Sequence, residues 1–127
     1  MPNARPDILV VDDDPAIRDT VASLLDMEGY AVRAAQDGDQ ALALVRAARP
    51  ALIVLDYYMP RMDGAAFCRA LAGEVGRQDT RIVLLTAAGE RDVHAIRELC
   101  AADALIRKPF DVDDLLDTVA RMLPRSA

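Results

Sequence analysis

Short apolar runs alternate with segments of helical spacing along almost the whole chain, and this alternation limits the possible folds more than any other feature. The runs occupy residues 8–11, 31–35, 51–55, 81–85 and 104–106. After each run, apolar residues recur three or four positions apart, which is the spacing of one buried helix face. Strands that alternate with helices over short connections form parallel sheets with helices on both faces. The sequence therefore predicts an α/β domain.

Local signals predict where individual helices begin and end. Asp14 is a typical N-cap, because its side chain can accept hydrogen bonds from free backbone N–H groups, and Pro15 suits the first helical position. Gly29 is expected to end the same helix. Asp111 and Asp113 precede the last apolar stripe, where acids suit the positive end of a helix dipole.

A length of 127 residues is that of one ordinary domain, predicted to span 1–127 with its core at about 7–123. Lys and Arg number 15 and Asp and Glu 21, which gives a formal net charge of −6. This balance argues against nucleic acid or a membrane surface as partner, since both attract clustered cations. No apolar run approaches the roughly 20 residues that span a bilayer, and no secretory leader is visible. We expect a cytoplasmic protein.

The two cysteines, Cys68 and Cys100, lie in apolar helical segments and lack the spacing of a metal or redox motif. Thiols of cytoplasmic proteins are usually kept reduced. Both residues are therefore expected to be buried free thiols. The single histidine, His94, is expected on the surface of the fourth helix.

Polar residues follow the predicted strands where these strands end. Asp12 and Asp13 follow the first strand, Asp56 the third, Thr86 the fourth and Lys108 the fifth. Ligands of doubly wound sheets bind beyond the carboxyl ends of the strands, so these side chains are expected to converge. Two carboxylates about 4 Å apart repel by roughly 4 kcal/mol at an effective dielectric near 20. This repulsion must either raise the pKa values of the acids sharply or be offset by a divalent cation among them. Oxygen ligands with room for water favour Mg²⁺ as that cation.

A carboxylate beside Mg²⁺, an ammonium and a hydroxyl forms a site suited to a phosphoryl group, whose transfer depends on positioning and charge neutralisation. Each residue also has a simpler explanation when it is taken alone. The acids of residues 12–14 could serve a helix start, Asp56 could cap a strand, and Lys108 could be a solvated surface lysine. Their joint placement at the strand ends favours the phosphoryl site.

Four short motifs occur in order at these strand ends. They are ILVVDDD at 8–14, LDYYMPRMDG at 55–64, LTA at 85–87 and KPF at 108–110. Together with their spacing, these motifs resemble the receiver domain of bacterial two-component response regulators. The resemblance covers about residues 7–123.

The resemblance implies a flavodoxin-like (βα)₅ fold, a doubly wound parallel sheet with strand order 2-1-3-4-5. It further implies that Asp56 is the phosphoacceptor, which takes a phosphoryl group from a phosphohistidine of a sensor histidine kinase or a phosphotransfer protein. The Lys108–Pro109 peptide bond is commonly cis in the family.

The same resemblance implies the roles of the other site residues. Asp13 and Asp56 would bind Mg²⁺ directly, with the backbone carbonyl of Tyr58 as a third ligand. Asp12 would hold a metal-bound water. Lys108 would pair with one phosphoryl oxygen, and the Thr86 hydroxyl would bind another.

Phosphorylation is then expected to switch protein–protein contacts in a chain that is not a turnover enzyme. The downstream protein target is unknown, and the chain could be free-standing or a piece of a larger regulator. We expect no direct binding of nucleic acid or membrane, and a monomer or a weak phosphorylation-dependent dimer. Two alternatives stay open. An aspartyl phosphatase would have a second Asp where Tyr58 stands, and a phosphorylation-independent docking module would lack a site residue.

One position departs from the family pattern. Three residues before the lysine, the family usually has an aromatic side chain whose rotamer reports phosphorylation, and here this position is Leu105. Leucine has no ring to swing behind Thr86. We therefore expect the response to depend on the loop and helix that follow Thr86.

Overall fold

The computed structural model describes residues 7–56, 58–59, 62–74, 76–87 and 90–123. The strands are β1 (Asp7–Val11), β2 (Ala31–Ala35), β3 (Leu52–Asp56), β4 (Tyr58–Met59), β5 (Met62–Asp63), β6 (Arg81–Thr86) and β7 (Ala104–Arg107). The α-helices are α1 (Pro15–Met27), α2 (Gly38–Ala47), α3 (Gly64–Ala72), α4 (Glu90–Cys100) and α5 (Val112–Met122), and a 3₁₀ turn covers Arg77–Asp79.

Five parallel strands form one sheet in the order β2-β1-β3-β6-β7. Counted along the chain, these are strands 2-1-3-4-5, so the predicted α/β topology is confirmed. Val11 pairs with Leu55, and Asp56 pairs with Leu85 on the next strand. The chain runs outward in opposite directions from the β1–β3 pair, and a crevice forms at the carboxyl edge of a sheet at such a reversal.

Two apolar layers cover the sheet, one on each face. One layer packs α2, α3 and α4 against side chains such as Leu55 and Leu84. The other packs α1 and α5 against side chains such as Val54 and Leu85. All five residues of β3 are buried, which agrees with the continuous apolar run expected for a strand covered on both faces.

The predicted boundaries of α1 are confirmed. Asp14 is its N-cap, with Oδ1 accepting from the backbone N–H of Ala16 at 2.9 Å and of Ile17 at 3.4 Å, and Pro15 is the first helical residue. Gly29 follows the helix with a φ of 95°, a left-handed conformation that glycine adopts without steric cost.

Three strands extend one residue further than predicted, to Asp56, Thr86 and Arg107. Asp56 and Thr86 are thus the last residues of their strands rather than the first residues after them. A small antiparallel pairing of β4 with β5 was not predicted. Residues this few carry too little periodicity to be distinguished from a turn.

The prediction of two free thiols is wrong. Cys68 and Cys100 form a disulfide bond, and their Cα atoms lie 5.0 Å apart. The two residues are 32 positions apart in sequence, and only the side-by-side packing of α3 and α4 brings them together. His94 is exposed on α4, as expected.

No helix among the described residues is both long and apolar enough to cross a membrane.

Candidate functional site

Three carboxylates meet at the carboxyl edge of the sheet, beyond β1 and β3. Asp12 and Asp13 directly follow β1, and Asp56 is the last residue of β3. One carboxylate oxygen from each lies within 4.8 Å of the others. Asp12 is 1% exposed and Asp56 5% exposed, so most of this negative charge is held away from water. The predicted convergence of the three acids is therefore present.

Lys108 supplies the cation of this cluster. Its Nζ lies 2.8 Å from Oδ2 of Asp56 and 3.6 Å from Oδ2 of Asp12. Lys108 directly follows β7, and its backbone N–H donates to the carbonyl oxygen of Thr86 at 2.9 Å. The Lys108–Pro109 bond is cis. One ammonium thus faces two of the three carboxylates, which leaves the cluster with net negative charge.

Asp12 is fixed by both its side chain and its backbone. Its Oδ1 accepts from the backbone N–H of Asp14 at 2.9 Å, and its carbonyl oxygen accepts from Nη1 of Arg18 at 3.0 Å. Sequence reasoning missed Arg18, because a single arginine on an amphipathic helix carries no signal of what it contacts. Its position one turn into α1, beside the strand end, is the only hint that the sequence offers.

The other oxygen of Asp12 is a buried acceptor that receives no hydrogen bond, since its ion-pair partner Nζ of Lys108 lies 3.6 Å away. Among the described residues, Oδ2 of Asp12 is the one buried side-chain oxygen or nitrogen that makes no hydrogen bond. Burying such an atom is costly unless something satisfies it. A small divalent cation among the three carboxylates would offset both this cost and the mutual repulsion, so the donor set fits a hard, oxygen-binding ion.

Burial raises the pKa of Asp56 from 3.8 to about 6. The hydrogen bond from Lys108 opposes this shift, whereas the negative charge of Asp12 adds to it. Asp56 therefore ionises less readily than an ordinary aspartate when no metal is bound. A cation beside it would favour the carboxylate form, which is the nucleophilic form.

The raised pKa of Asp56 predicts a pH dependence of the metal-free protein. Because the folded state holds this proton more tightly than the unfolded state, the free energy of unfolding should fall as the pH rises from about 4 to about 6. The contribution of Asp56 should be at most about 3 kcal/mol. Urea unfolding in the presence of a chelator checks this. Asp56→Asn should gain stability over the parent protein across this pH range, and a constant difference would contradict the assignment.

Two predicted site residues are placed less completely. Thr86 is fully buried at the end of β6, next to β3 in the sheet, and its backbone carbonyl is held by Lys108. The binding of a phosphoryl oxygen by its hydroxyl stays a prediction. Tyr58 lies in β4, but its side chain falls outside the described residues. Metal binding by its backbone carbonyl also stays a prediction.

Leu105 occupies the position at which the receiver family usually has an aromatic residue. It lies in β7 opposite Leu84, and it packs, half-buried, against the apolar layer under α2, α3 and α4. Leu105 therefore contributes to the hydrophobic core on this face of the sheet.

The family model of the response regulator receiver domain matches residues 8–120. The match therefore includes all three acids and Lys108.

Curated relatives share about two fifths of their aligned residues with the chain. The DNA-binding dual master transcriptional regulator RpaA of Synechocystis sp. is 39% identical over 121 residues, which cover 95% of this chain and 50% of that protein. The response regulator MprA of Mycolicibacterium vanbaalenii is 40% identical over 119 residues, covering 94% and 51%. The chain thus spans about half the length of the curated relatives it matches.

Solved structures share the fold closely. The chemotaxis protein CheY4 of Vibrio cholerae superposes with a TM-score of 0.87 and 34% identity, covering 94% of this chain and 100% of that one. The response regulator TrrA of Thermotoga maritima, solved in complex with Mg²⁺ and BeF, superposes with a TM-score of 0.79 and 31% identity, covering 93% and 99%.

Proposed function

Because the chain belongs to the family of response regulator receiver domains, we propose that Asp56 is its phosphoacceptor. The phosphoryl group comes from a phosphohistidine of a sensor histidine kinase or a phosphotransfer protein. A receiver domain is a phosphoacceptor switch, not a turnover enzyme. Residues 7–123 act as this single receiver unit within the 127 residues.

One observation carries the assignment of Asp56: its carboxylate lies in the acid cluster with Nζ of Lys108 only 2.8 Å away. In the transfer, a carboxylate oxygen bonds to phosphorus as the bond from phosphorus to the histidine nitrogen breaks. Charge spreads over the phosphoryl oxygens during this step. The ammonium of Lys108 is already positioned to neutralise that charge, without reorganisation at the moment of reaction. The Thr86 hydroxyl is assigned to a second phosphoryl oxygen.

The metal of this site is Mg²⁺ in our proposal. Asp13, Asp56 and the backbone carbonyl of Tyr58 would hold this ion, and Asp12 would hold a water bound to it. When bound, Mg²⁺ supplies charge neutralisation for carboxylates and phosphoryl oxygens. Two observations support the ion: the convergence of the three carboxylates and the unsatisfied oxygen of Asp12. The complex of TrrA with Mg²⁺ and BeF adds support from a relative.

The proposal is tested by incubating the chain with a small phosphodonor and Mg²⁺ and measuring its intact mass. We expect an adduct of one phosphoryl group that needs Mg²⁺ and disappears on chelation before the reaction. Turnover of a generic phosphate ester by the same sample would instead favour the phosphatase alternative. A chain that never gains mass under these conditions would favour a docking module.

Phosphorylation switches protein–protein contacts by shifting an existing equilibrium. The phosphoryl group adds charge and acceptor oxygens, which attract the hydroxyl of Thr86, a buried residue at the end of β6. Because Leu105 has no aromatic ring, the segment after Thr86 carries the response.

This route predicts where amide NMR signals move on phosphorylation. Signals from residues 86–87 and from α4 should shift more than the signal of Leu105, because the change begins at Thr86 and continues along the chain. A largest shift centred on Leu105, with little change in α4, would contradict the route. Asp56→Asn, treated with the same phosphodonor, is the control for unspecific effects.

The partners follow from the same assignment. A kinase or phosphotransfer protein delivers the phosphoryl group in the cytoplasm, and an unknown protein target reads the phosphorylated state. The net charge of −6 does not favour direct binding of this segment to nucleic acid or membrane. RpaA is described as DNA-binding as a whole, and this chain corresponds to about half of it. The segment acts as a monomer or as a weak dimer that forms on phosphorylation.

A further inference from the structure

The disulfide bond connects the two helices that follow the strands ending in Asp56 and Thr86. Cys68 lies in α3, which comes after β3, and Cys100 is the last residue of α4, which comes after β6. Their Cα atoms are 5.0 Å apart. A bond at this place fixes α4 against α3. It therefore restrains the segment through which the proposed response to phosphorylation travels.

A surface groove of about 380 Å³ reaches the disulfide. Its lining includes Cys68, Cys100, Leu99, Arg77, Arg81 and Asp103. The groove lies at the beginning of β6, at the opposite edge of the sheet from the acid cluster. Each cysteine is only 3% exposed, so a small molecule fits the approach better than the surface of a folded protein.

Arg77 places positive charge next to Cys100. Its Nη2 donates to the carbonyl oxygen of Cys100 at 3.1 Å and to that of Ala101 at 3.2 Å. These carbonyls form the C-terminal end of α4, where the helix dipole is negative. The guanidinium offsets this negative potential beside Cys100. Positive charge near a cysteine generally favours the thiolate, which is the form that attacks disulfides.

We propose that Cys68 and Cys100 are a reversible redox modification site for small thiols and disulfides, and that oxidation limits the movement of α4 against α3. A thiolate of one cysteine attacks the small disulfide, which forms a mixed disulfide and releases one small thiolate. The second cysteine loses its proton to solvent and displaces the other small thiolate. Two electrons pass to the small disulfide in total. Disulfides of proteins in reducing compartments are usually transient and redox-sensing.

The chemical half of the proposal is tested on the native full chain with reduced or oxidised glutathione as the probe. After glutathione is removed by gel filtration, the native chain is alkylated without denaturant. The intact mass should then show two modified sulfurs in the reduced sample and none in the oxidised one. Cys68→Ser and Cys100→Ser should each hold one glutathione. Alkylation only after unfolding in urea, or two free thiols under oxidised glutathione, would overturn the proposal. If a serine variant does not fold, the alkylation of the parent protein still tests whether the disulfide exchanges with glutathione.

Arg77 is a positioning residue in this proposal, and its variant has a readout of its own. Arg77→Gln should slow the thiol exchange about threefold, since fewer thiolates form and their higher nucleophilicity compensates only in part. Arg81→Gln removes the same charge from the same groove, but Arg81 pairs with Asp103 at 3.3 Å and should leave the rate unchanged. Equal slowing in both variants would overturn the role of Arg77.

The proposed restraint of α4 by the disulfide rests on the proposed function, so it is tested in a separate experiment. Reduced and oxidised chains are phosphorylated in parallel, and the amide shifts of residues 93–100 are compared. We expect shifts about twofold larger in the reduced form, because α4 is then free to move. Equal amide shifts in the reduced and oxidised chains would contradict the proposed restraint of α4. Failure of both forms to gain a phosphoryl group would count against the proposed function. The glutathione experiment would still test the redox site, because it does not depend on phosphorylation.

Discussion

Asp56→Asn should abolish phosphoryl uptake from a small phosphodonor in the presence of Mg²⁺. The amide of Asn is a poor nucleophile and carries no negative charge, whereas the Asp56 carboxylate is one of the three of the acid cluster and lies 2.8 Å from Lys108. No other acid in the described part of the chain combines these contacts. Intact mass spectrometry measures the result directly, and we expect the phosphoryl adduct of the parent protein to be lost completely.

Asp26→Asn is the matched control for this loss. Asp26 is an exposed acid near the end of α1, so the substitution removes the same charge at a site outside the cluster. This variant should gain one phosphoryl group as the parent does. Persistent phosphorylation of Asp56→Asn at the parental level would show that another residue is the acceptor. A melting temperature no lower than that of the parent excludes unfolding as the cause of a loss.

Asp13→Asn should weaken Mg²⁺ binding by at least about 100-fold. Loss of residues that only orient metal ligands commonly costs 10–100-fold in affinity, and Asp13 is proposed as a direct ligand. The substitution removes one of the three carboxylates that converge within 4.8 Å. Isothermal titration with Mg²⁺ measures the affinity. Thermal unfolding supports it, since saturating Mg²⁺ should stabilise the parent protein and not the variant.

Asp14→Asn controls for the change of charge next to the site. Asp14 is exposed, and it caps α1 through its Oδ1. Asn caps helices about as well as Asp, so this variant keeps the helix and loses one negative charge. We expect its Mg²⁺ affinity to stay within a factor of about two to three of the parental value. Parental affinity in Asp13→Asn would remove Asp13 from the ligand set.

The convergence of the acids with Lys108 could be predicted because it follows from topology. Asp12, Asp56 and Lys108 stand at the ends of three parallel strands, and such ends share one edge of the sheet whatever the details of packing. The N-cap at Asp14 could be predicted for a different reason, since it depends on the chain immediately around it.

Features that depend on the packing of helices could not be read from the sequence. Cys68 and Cys100 are 32 positions apart, and no local pattern indicates that α3 and α4 bring them together. The contact of Arg18 with the carbonyl of Asp12 likewise depends on how α1 turns against β1. The sequence pattern ends β3 one residue early, at Leu55, because Asp56 is a polar residue that a strand pattern excludes.

The hydrogen bond from the Lys108 backbone to the carbonyl of Thr86 joins the ends of β7 and β6 without the help of either side chain. This hydrogen bond therefore sets the spacing of the two residues whichever side chains they carry. The side chains at positions 86 and 108 can then be exchanged, in evolution or in the laboratory, while the backbone that spaces them is kept.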